Sequence, residues 1–223
     1  MNDSYNFWET KFQSEQTNWG FEPSDSAIIT KDFFLKKHIN NILIPGIGYG
    51  RNAHIFLSNG INVTGIEISK TAIDLAYRNG LSIMIHHGSV TSMPFDEVQY
   101  EGIFCYALIH LFNRYERRKF LKACYDQLKP DGYMIFVVVS KAASTFGEGR
   151  KIGNNRFELS KGLKVFYYDL DSAKQEFSDY GLSECYEMDE PIKFMVNEPP
   201  LKCIYLKCCK SQIYEKDKKK RLS

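Results

Sequence analysis

The sequence predicts an α/β protein built on a mostly parallel sheet with helices on both faces. Three observations point there. From residue 41 onward, short apolar runs alternate with helical patterns. The run "GYMIFVVVS" is apolar on consecutive positions, as a strand buried on both faces should be. A glycine-dense turn, "GIGYG", directly follows the first apolar run.

The elements read in order as follows. "NILIP" is a strand, and "RNAHIFLSNG" a helix stopped by Gly60. "INVTGIEI" is the second strand. "SKTAIDLAYRNG" is a helix capped by Ser69 and ended by Gly80. "LSIMIHH" and "YEGIFCYAL" supply strands three and four, and "RYERRKFLKACYDQLKP" a helix that stops before Pro130. "GYMIFVVVS" is the fifth strand. Such alternation implies parallel pairing through right-handed crossovers. After a helix in "DLDSAKQEFSDYG", the runs "LSECYEM" and "LKCIYLKCC" leave no room for a crossover helix, so they should pair antiparallel.

Residues 1–30 differ in kind. They hold both tryptophans, Trp8 and Trp19, with Tyr5, Phe7, Phe12 and Phe21, and show little clear periodicity. An aromatic flap over the ligand edge of the sheet would explain this, as would closure of the core from below. The expected division is a flap at 1–30, the main domain at 31–210 and a basic tail at 211–223, where "EKDKKKRLS" reads as solvated.

Composition narrows the function classes. The 223 residues are 43% hydrophobic and 25% charged, with a formal net charge of +2. That balance fits one domain and gives no field for nucleic acid. No run reaches the roughly 18 apolar residues of a membrane span, and "MNDSYNFWETKF" does not read as a signal peptide. The 6 cysteines include no C-x-x-C pair, which disfavours zinc and fits a reducing, cytoplasmic setting. His86 and His87 are adjacent on a strand and point to opposite faces, so they do not form a metal pair.

In an open parallel sheet, ligands bind beyond the carboxyl ends of the strands, near the first strand. Gly46, Gly48 and Gly50 occupy that place. A dinucleotide fingerprint, G-x-G-x-x-G, requires glycine where this chain has Arg51. A phosphate-cradling loop would end in Gly-Lys-Ser/Thr, and it does not. Glu67 ends the second strand 19 residues after Gly48, where a carboxylate can accept hydrogen bonds from both hydroxyls of a ribose.

Together, "GIGYG", Glu67, "HHGSVTSMPF" and "LKPDGYMIF" resemble the class I S-adenosylmethionine-dependent methyltransferases over roughly residues 41–209. "FWETKFQSEQTNWGFEPSDSA" resembles the N-terminal segment of the thiopurine and thiol methyltransferase group. "GYGRNAHIFLSNGINVTGIEIS" is similar to the tellurite-resistance methyltransferases. The resemblance implies a Rossmann-like seven-stranded sheet with a closing antiparallel strand, and S-adenosylmethionine as cofactor. By position it implies that Gly46, Ile47, Gly48, Tyr49 and Gly50 line the methionine end, flanked by Arg51. Glu67 would hold ribose, with Ile68, Ser89 and Val90 around adenine. Cys105 and Tyr106 would end strand four beside the methionine portion. Trp8 and Phe12 would fold over the cofactor, and Trp19 over the acceptor. Three positions depart from the pattern: Ile44, Ser89 and Cys105 stand where the family often has acidic or polar residues.

Methyl transfer is an in-line displacement in which the cofactor brings the activated group and the protein aligns the reactants. A thiolate needs no general base, whereas an amine or hydroxyl can. His110 aligns with a histidine frequent after strand four; it either contacts the acceptor or sits at a helix start, satisfied by backbone. Tyr106 and His110 are the expected catalytic residues. "FYY", residues 166–168, reads as packing or as part of the acceptor pocket, and 143–162 as a surface excursion or a lid. The expected activity is methylation of a small thiol, metalloid or amine by a monomer or homodimer, with no nucleic acid, membrane or metal. The alternatives are a NAD-dependent oxidoreductase, a non-catalytic S-adenosylmethionine-binding protein and a nucleic-acid methyltransferase.

Overall fold

The computed structural model describes residues 3–17, 19–193 and 199–211; the expected tail at 211–223 lies, beyond its first residue, outside them. Two helices come first, α1 (Asp3–Glu15) and α2 (Asp25–Lys36). There follow β1 (Asn41–Pro45), α3 (Ala53–Leu57), β2 (Asn62–Glu67), α4 (Lys70–Arg78), β3 (Ile85–His87) and β4 (Tyr100–Tyr106). The second half holds α5 (Arg114–Gln127), β5 (Leu128–Val139), β6 (Arg150–Gly153), β7 (Arg156–Ser160), β8 (Leu163–Phe166), α6 (Leu170–Phe177), β9 (Leu182–Glu190) and β10 (Leu201–Cys209).

Seven strands form one sheet in the order β3-β2-β1-β4-β5-β10-β9. The first five run parallel, and β10 lies antiparallel to both β5 and β9. This is the predicted seven-stranded sheet. Its reversal of strand order between β1 and β4 opens a crevice at the carboxyl ends, the usual ligand position in such sheets.

Strand alternation sorts the side chains into two cores. Leu43, Ile103, Cys105, Met134, Phe136 and Val138 pack on one face against Phe120, Leu121 and Phe177 of α5 and α6. Ile42, Ile44, Phe104, Ile135 and Val137 pack on the other against Phe34, Phe56 and Ile73 of α2, α3 and α4. β5 therefore contributes to both, which is why its sequence shows no alternation. Helix starts are fixed locally: Ser69 caps α4 through Ala72 N–H, and Asn113 with Glu116 forms a capping box on α5.

Three expectations change. Residues 1–30 are largely helical, and α2 runs across the expected boundary at residue 30. The signal was present, since Tyr5, Trp8 and Phe12 follow the i, i+3, i+7 rule of a helix face. The second change concerns 143–162, read as an excursion or lid: it contains β6 and β7, which join β8 in a separate three-stranded antiparallel sheet. A two-residue turn at Asn154–Asn155, with Asn155 at φ 55°, closes the first hairpin. Lastly, the helix expected across "RNAHIFLSNG" is confined to Ala53–Leu57. The "FYY" run packs: Tyr167 and Tyr168 are fully buried, donating to Thr145 O and to Glu176 Oε2.

Candidate active site

A cavity of about 540 Å³ opens at the carboxyl ends of β1, β2 and β4. The loop after β1 forms its floor. Gly46, Gly48 and Gly50 all have positive φ, but their surroundings differ. A Cβ on Gly48 would stand 3.7 Å from the Phe12 ring, whereas one on Gly50 would strike Leu81 Cδ2 at 2.6 Å. Gly48 faces the cavity; Gly50 lets the loop close onto Leu81, in the segment between α4 and β3. Gly50, expected at the cofactor, is the one residue of the Gly46–Gly50 turn that does not line the cavity.

Glu67, at the end of β2, is buried and lines the cavity. Its Oε2 accepts from Gly48 N–H at 2.9 Å, and Oε1 accepts from Ile68 N–H at 2.8 Å and Ser69 N–H at 2.9 Å. Burial pushes the carboxyl above the usual range; the three N–H groups, which can only donate, oppose that and favour the carboxylate. A carboxylate offers about four acceptor sites. Three are taken, so Glu67 retains capacity for one further hydroxyl where the sequence suggested two.

The cap is tied to the same turn. Glu9 of α1 accepts from Ser69 Oγ at 2.7 Å and Thr71 Oγ1 at 2.6 Å, while Ser69 Oγ also caps α4. This linkage places Trp8 and Phe12 over the glycine loop. Trp19 stacks on Tyr49 with 6.3 Å between centroids and 12° between planes, and Tyr49 donates to Gly20 O. Arg51 donates to Trp19 O at 3.3 Å and holds its guanidinium 5.4 Å from the Tyr106 ring centre. Burial raises the Tyr49 phenol to about 12 and pushes that of Tyr106 up as well, so both stay neutral near pH 7.

His110, on the turn after β4, is buried at the cavity wall. Val139 N–H donates to its Nδ1 at 3.3 Å, which leaves the ring proton on Nε2. Burial lowers its pKa to about 3. The neutral ring can therefore donate a hydrogen bond through Nε2 but is not placed to take a proton there. The two expected catalytic residues, Tyr106 and His110, are thus uncharged polar walls.

The cavity gathers Trp8, Phe12, Trp19, Gly46, Ile47, Gly48, Tyr49, Arg51, Glu67, Ile68, Ser89, Val90, Tyr106 and His110, all expected from the sequence. Cys105 is not among them. It neighbours Tyr106 on β4 and so points to the opposite face, fully buried in the core, where burial raises its thiol pKa. Ile44 does line the cavity while packing in the core.

Sequence reasoning missed Glu116, Lys164 and Glu190. Glu116 was legible as the third residue of the Asn113 capping box. Lys164 comes with the unanticipated β8. Glu190, at the end of β9, accepts from Asp25 and Ser26 N–H at the start of α2, a contact between segments 164 or more residues apart that leaves no local signal. Among the described residues, no group of His, Cys, Asp or Glu side chains is arranged to hold a metal ion.

Comparison with known proteins adds to this geometry. Residues 42–132 match a family model described as a methyltransferase domain. Among solved structures, the chain is similar to 1,6-didemethyltoxoflavin-N1-methyltransferase from Burkholderia thailandensis, with bound 1,6-didemethyltoxoflavin and S-adenosylhomocysteine. That match has a TM-score of 0.71 at 15% identity, over 93% of this chain and 87% of the other. It is also similar to TehB from Haemophilus influenzae, with TM-score 0.63 at 14% identity over 92% and 67% of the two chains. Magnesium protoporphyrin IX methyltransferase from Synechocystis, with bound S-adenosylmethionine, gives 0.64 at 10% identity over 95% and 99%. No curated protein sequence matches. At these identities the structural likeness is one of fold.

The Glu9 contacts predict an acid-sensitive cap. Burial alone would raise its carboxyl, but the Thr71 and Ser69 hydroxyls outweigh this and hold its pKa below the ordinary value. A lowered pKa contributes stability that is present above the unfolded value and lost as pH falls through the folded one. Both tryptophans lie in the cap, so their fluorescence reads it directly. Emission should shift red in that acid window before far-UV circular dichroism changes, and Glu9→Gln should show the shift already at pH 7. Native emission from that variant across the whole range would refute the tether.

Proposed function

We propose that this chain, which has the class I S-adenosylmethionine-dependent methyltransferase fold and carries a methyltransferase domain over residues 42–132, methylates a small molecule that arrives already nucleophilic. The observation that carries the reading is the buried Glu67 carboxylate facing a glycine-floored cavity under an aromatic cap.

The residues present fit the cofactor. Gly48 brings bare backbone to the cavity, and Glu67 keeps one acceptor site open toward a ribose hydroxyl. Ile68, Ser89 and Val90 would flank the adenine, and Arg51, which lines the cavity beside the cap, would meet the amino-acid carboxylate. When bound, the sulfonium supplies the activated methyl group. The chain's own contribution is alignment and exclusion of water, for which the ring cluster of Trp8, Phe12, Trp19 and Tyr49 is suited.

The acceptor class follows from the titratable inventory of the walls. His110 presents a donor, and the phenol of Tyr106 stays protonated. Glu116 and Glu190 are the acidic side chains on the acceptor wall, and each already accepts backbone N–H groups. A soft anion such as a thiolate, or an amine neutral at working pH, would need no proton removed by the enzyme. Small-molecule substrates are named for two of the structural neighbours quoted above, the didemethyltoxoflavin and magnesium protoporphyrin methyltransferases, and that supports the class. All six cysteines are free, and no described helix is long and apolar enough to cross a membrane. Arg51, in place of a third fingerprint glycine, speaks against a dinucleotide.

Titration calorimetry should give saturable binding of S-adenosylhomocysteine and none of NAD, and labelled-methyl transfer should succeed with a member of a panel of thiols, chalcogen oxyanions and amines. Binding of NAD alone would overturn the reading, and cofactor binding with no transfer across the panel would favour a binding protein. The pH profile of kcat/KM should follow the acceptor's own ionisation, with no histidine step near neutrality. A step near the ordinary histidine pKa that vanishes in His110→Asn would contradict the donor role.

A further inference from the structure

On the far side of α5 from the active site lies a second concavity, of about 900 Å³, between α5, the β6–β7 hairpin and α6. Glu116 faces the first cavity, and Arg114, Arg117 and Arg118 line the second. The hairpin adds Asn154, Asn155 and Arg156.

The four arginines divide into two kinds. Arg117 is buried and structural: its Nε donates to Glu176 Oε1 and Oε2 at 2.8 and 3.0 Å, and its guanidinium lies 4.0 Å from the Phe166 ring centre. Its charge is neutralised in place. Arg114 and Arg118 sit one helical turn apart on α5, so they project to the same side, both exposed. Neither forms an ion pair among the described residues. Arg156 is half-buried on the facing hairpin, and its Nε is buried with no hydrogen-bond partner. A polar group left in that state costs about 1–3 kcal/mol, and more when charged.

The acidic groups near these arginines do not cancel them. Glu176 is committed to Arg117 and Tyr168, and Glu116, which caps α5, offsets Arg156 only in part. Asp179 also lines the groove, so two acidic side chains, Glu176 and Asp179, face the four arginines there. Burial disfavours the charge on Arg156 and Arg117 adds to this, with Glu116 a partial offset. Guanidinium groups converging from two elements match the paired oxygens of phosphate, which Arg binds in a planar fork. The site is concave and the chain carries only +2, so a small ligand fits better than a nucleic-acid backbone.

We propose that this groove is an anion site for a phosphate-bearing small molecule, with Arg114, Arg118 and Arg156 as its contacts. It is separate from the methyl-transfer cavity, and its occupancy does not require that reading to hold. Arg156 would meet the ligand from the hairpin side, while Arg114 and Arg118 would close over it from α5.

Titration calorimetry of inorganic pyrophosphate into the full chain at low ionic strength tests this. Saturable one-site binding is expected, weakened about tenfold or more in Arg156→Gln and in the Arg114→Gln/Arg118→Gln pair, the loss of one charge-assisted hydrogen bond. The exposed pair keeps the test valid if the half-buried substitution impairs folding. Unchanged circular dichroism and thermal melting identify folded variants without reference to methyl transfer. Absence of saturable binding at low millimolar pyrophosphate, or equal affinity in wild type and both variants, would overturn the proposal. So would binding of a single-stranded RNA without binding of pyrophosphate.

Discussion

The Glu67 carboxyl is buried at the end of β2, and three backbone N–H groups from two turns converge on its oxygens. One comes from the glycine loop after β1, and two come from the turn that starts α4. An unmet carboxylate there would be costly, so the two turns are held in one arrangement. Ser69 extends the linkage by capping α4 and donating to Glu9, which seats α1 over the loop. Loop, strand end, helix start and cap therefore form one connected polar unit. The open acceptor capacity on Glu67 faces the cavity this unit encloses.

Around that unit the cavity has two unlike sides. The β1, β2 and β3 loops present backbone and short polar groups, suited to a nucleoside. The cap, the start of α5, β8 and the end of β9 present aromatic and aliphatic groups with Glu116, Lys164 and Glu190. The second side is built from elements added to the parallel sheet, so it can vary without disturbing the first. That division accounts for a chain that shares its fold with proteins acting on unrelated small molecules. A neutral His110 and a protonated Tyr106 are consistent with the proposed acceptor, since alignment of an already reactive pair requires shape and dryness more than proton transfer.

Much of the sheet was legible because its strands and crossover helices have strong periodic signals, and Glu67 because its distance from Gly48 reflects one strand–helix–strand unit. The rest was hidden for identifiable reasons. α1 was obscured by its aromatic content, although Tyr5, Trp8 and Phe12 have helical spacing. β6, β7 and β8 are strands of four or five residues with exposed faces, stabilised by a small tertiary core of Val139, Phe157, Val165 and Tyr167. Cys105 and Gly50 were assigned by position in a motif; alternation along β4 and the closeness of Leu81 send one into the core and commit the other to packing. Ile44, where an acid is common, belongs to the core as well as the cavity wall.

Glu67 has a double task, organising the two turns and receiving the proposed nucleoside, and one measurement addresses it. S-adenosylhomocysteine affinity should be compared by calorimetry between the wild type and Glu67→Gln, with circular dichroism showing both folded. The amide removes the charge and sets an N–H donor against N–H donors. Affinity should fall by roughly 1.5–3 kcal/mol, about ten- to a hundredfold. Equal affinity in the folded variant would contradict the claim that this carboxylate organises the site and receives the nucleoside.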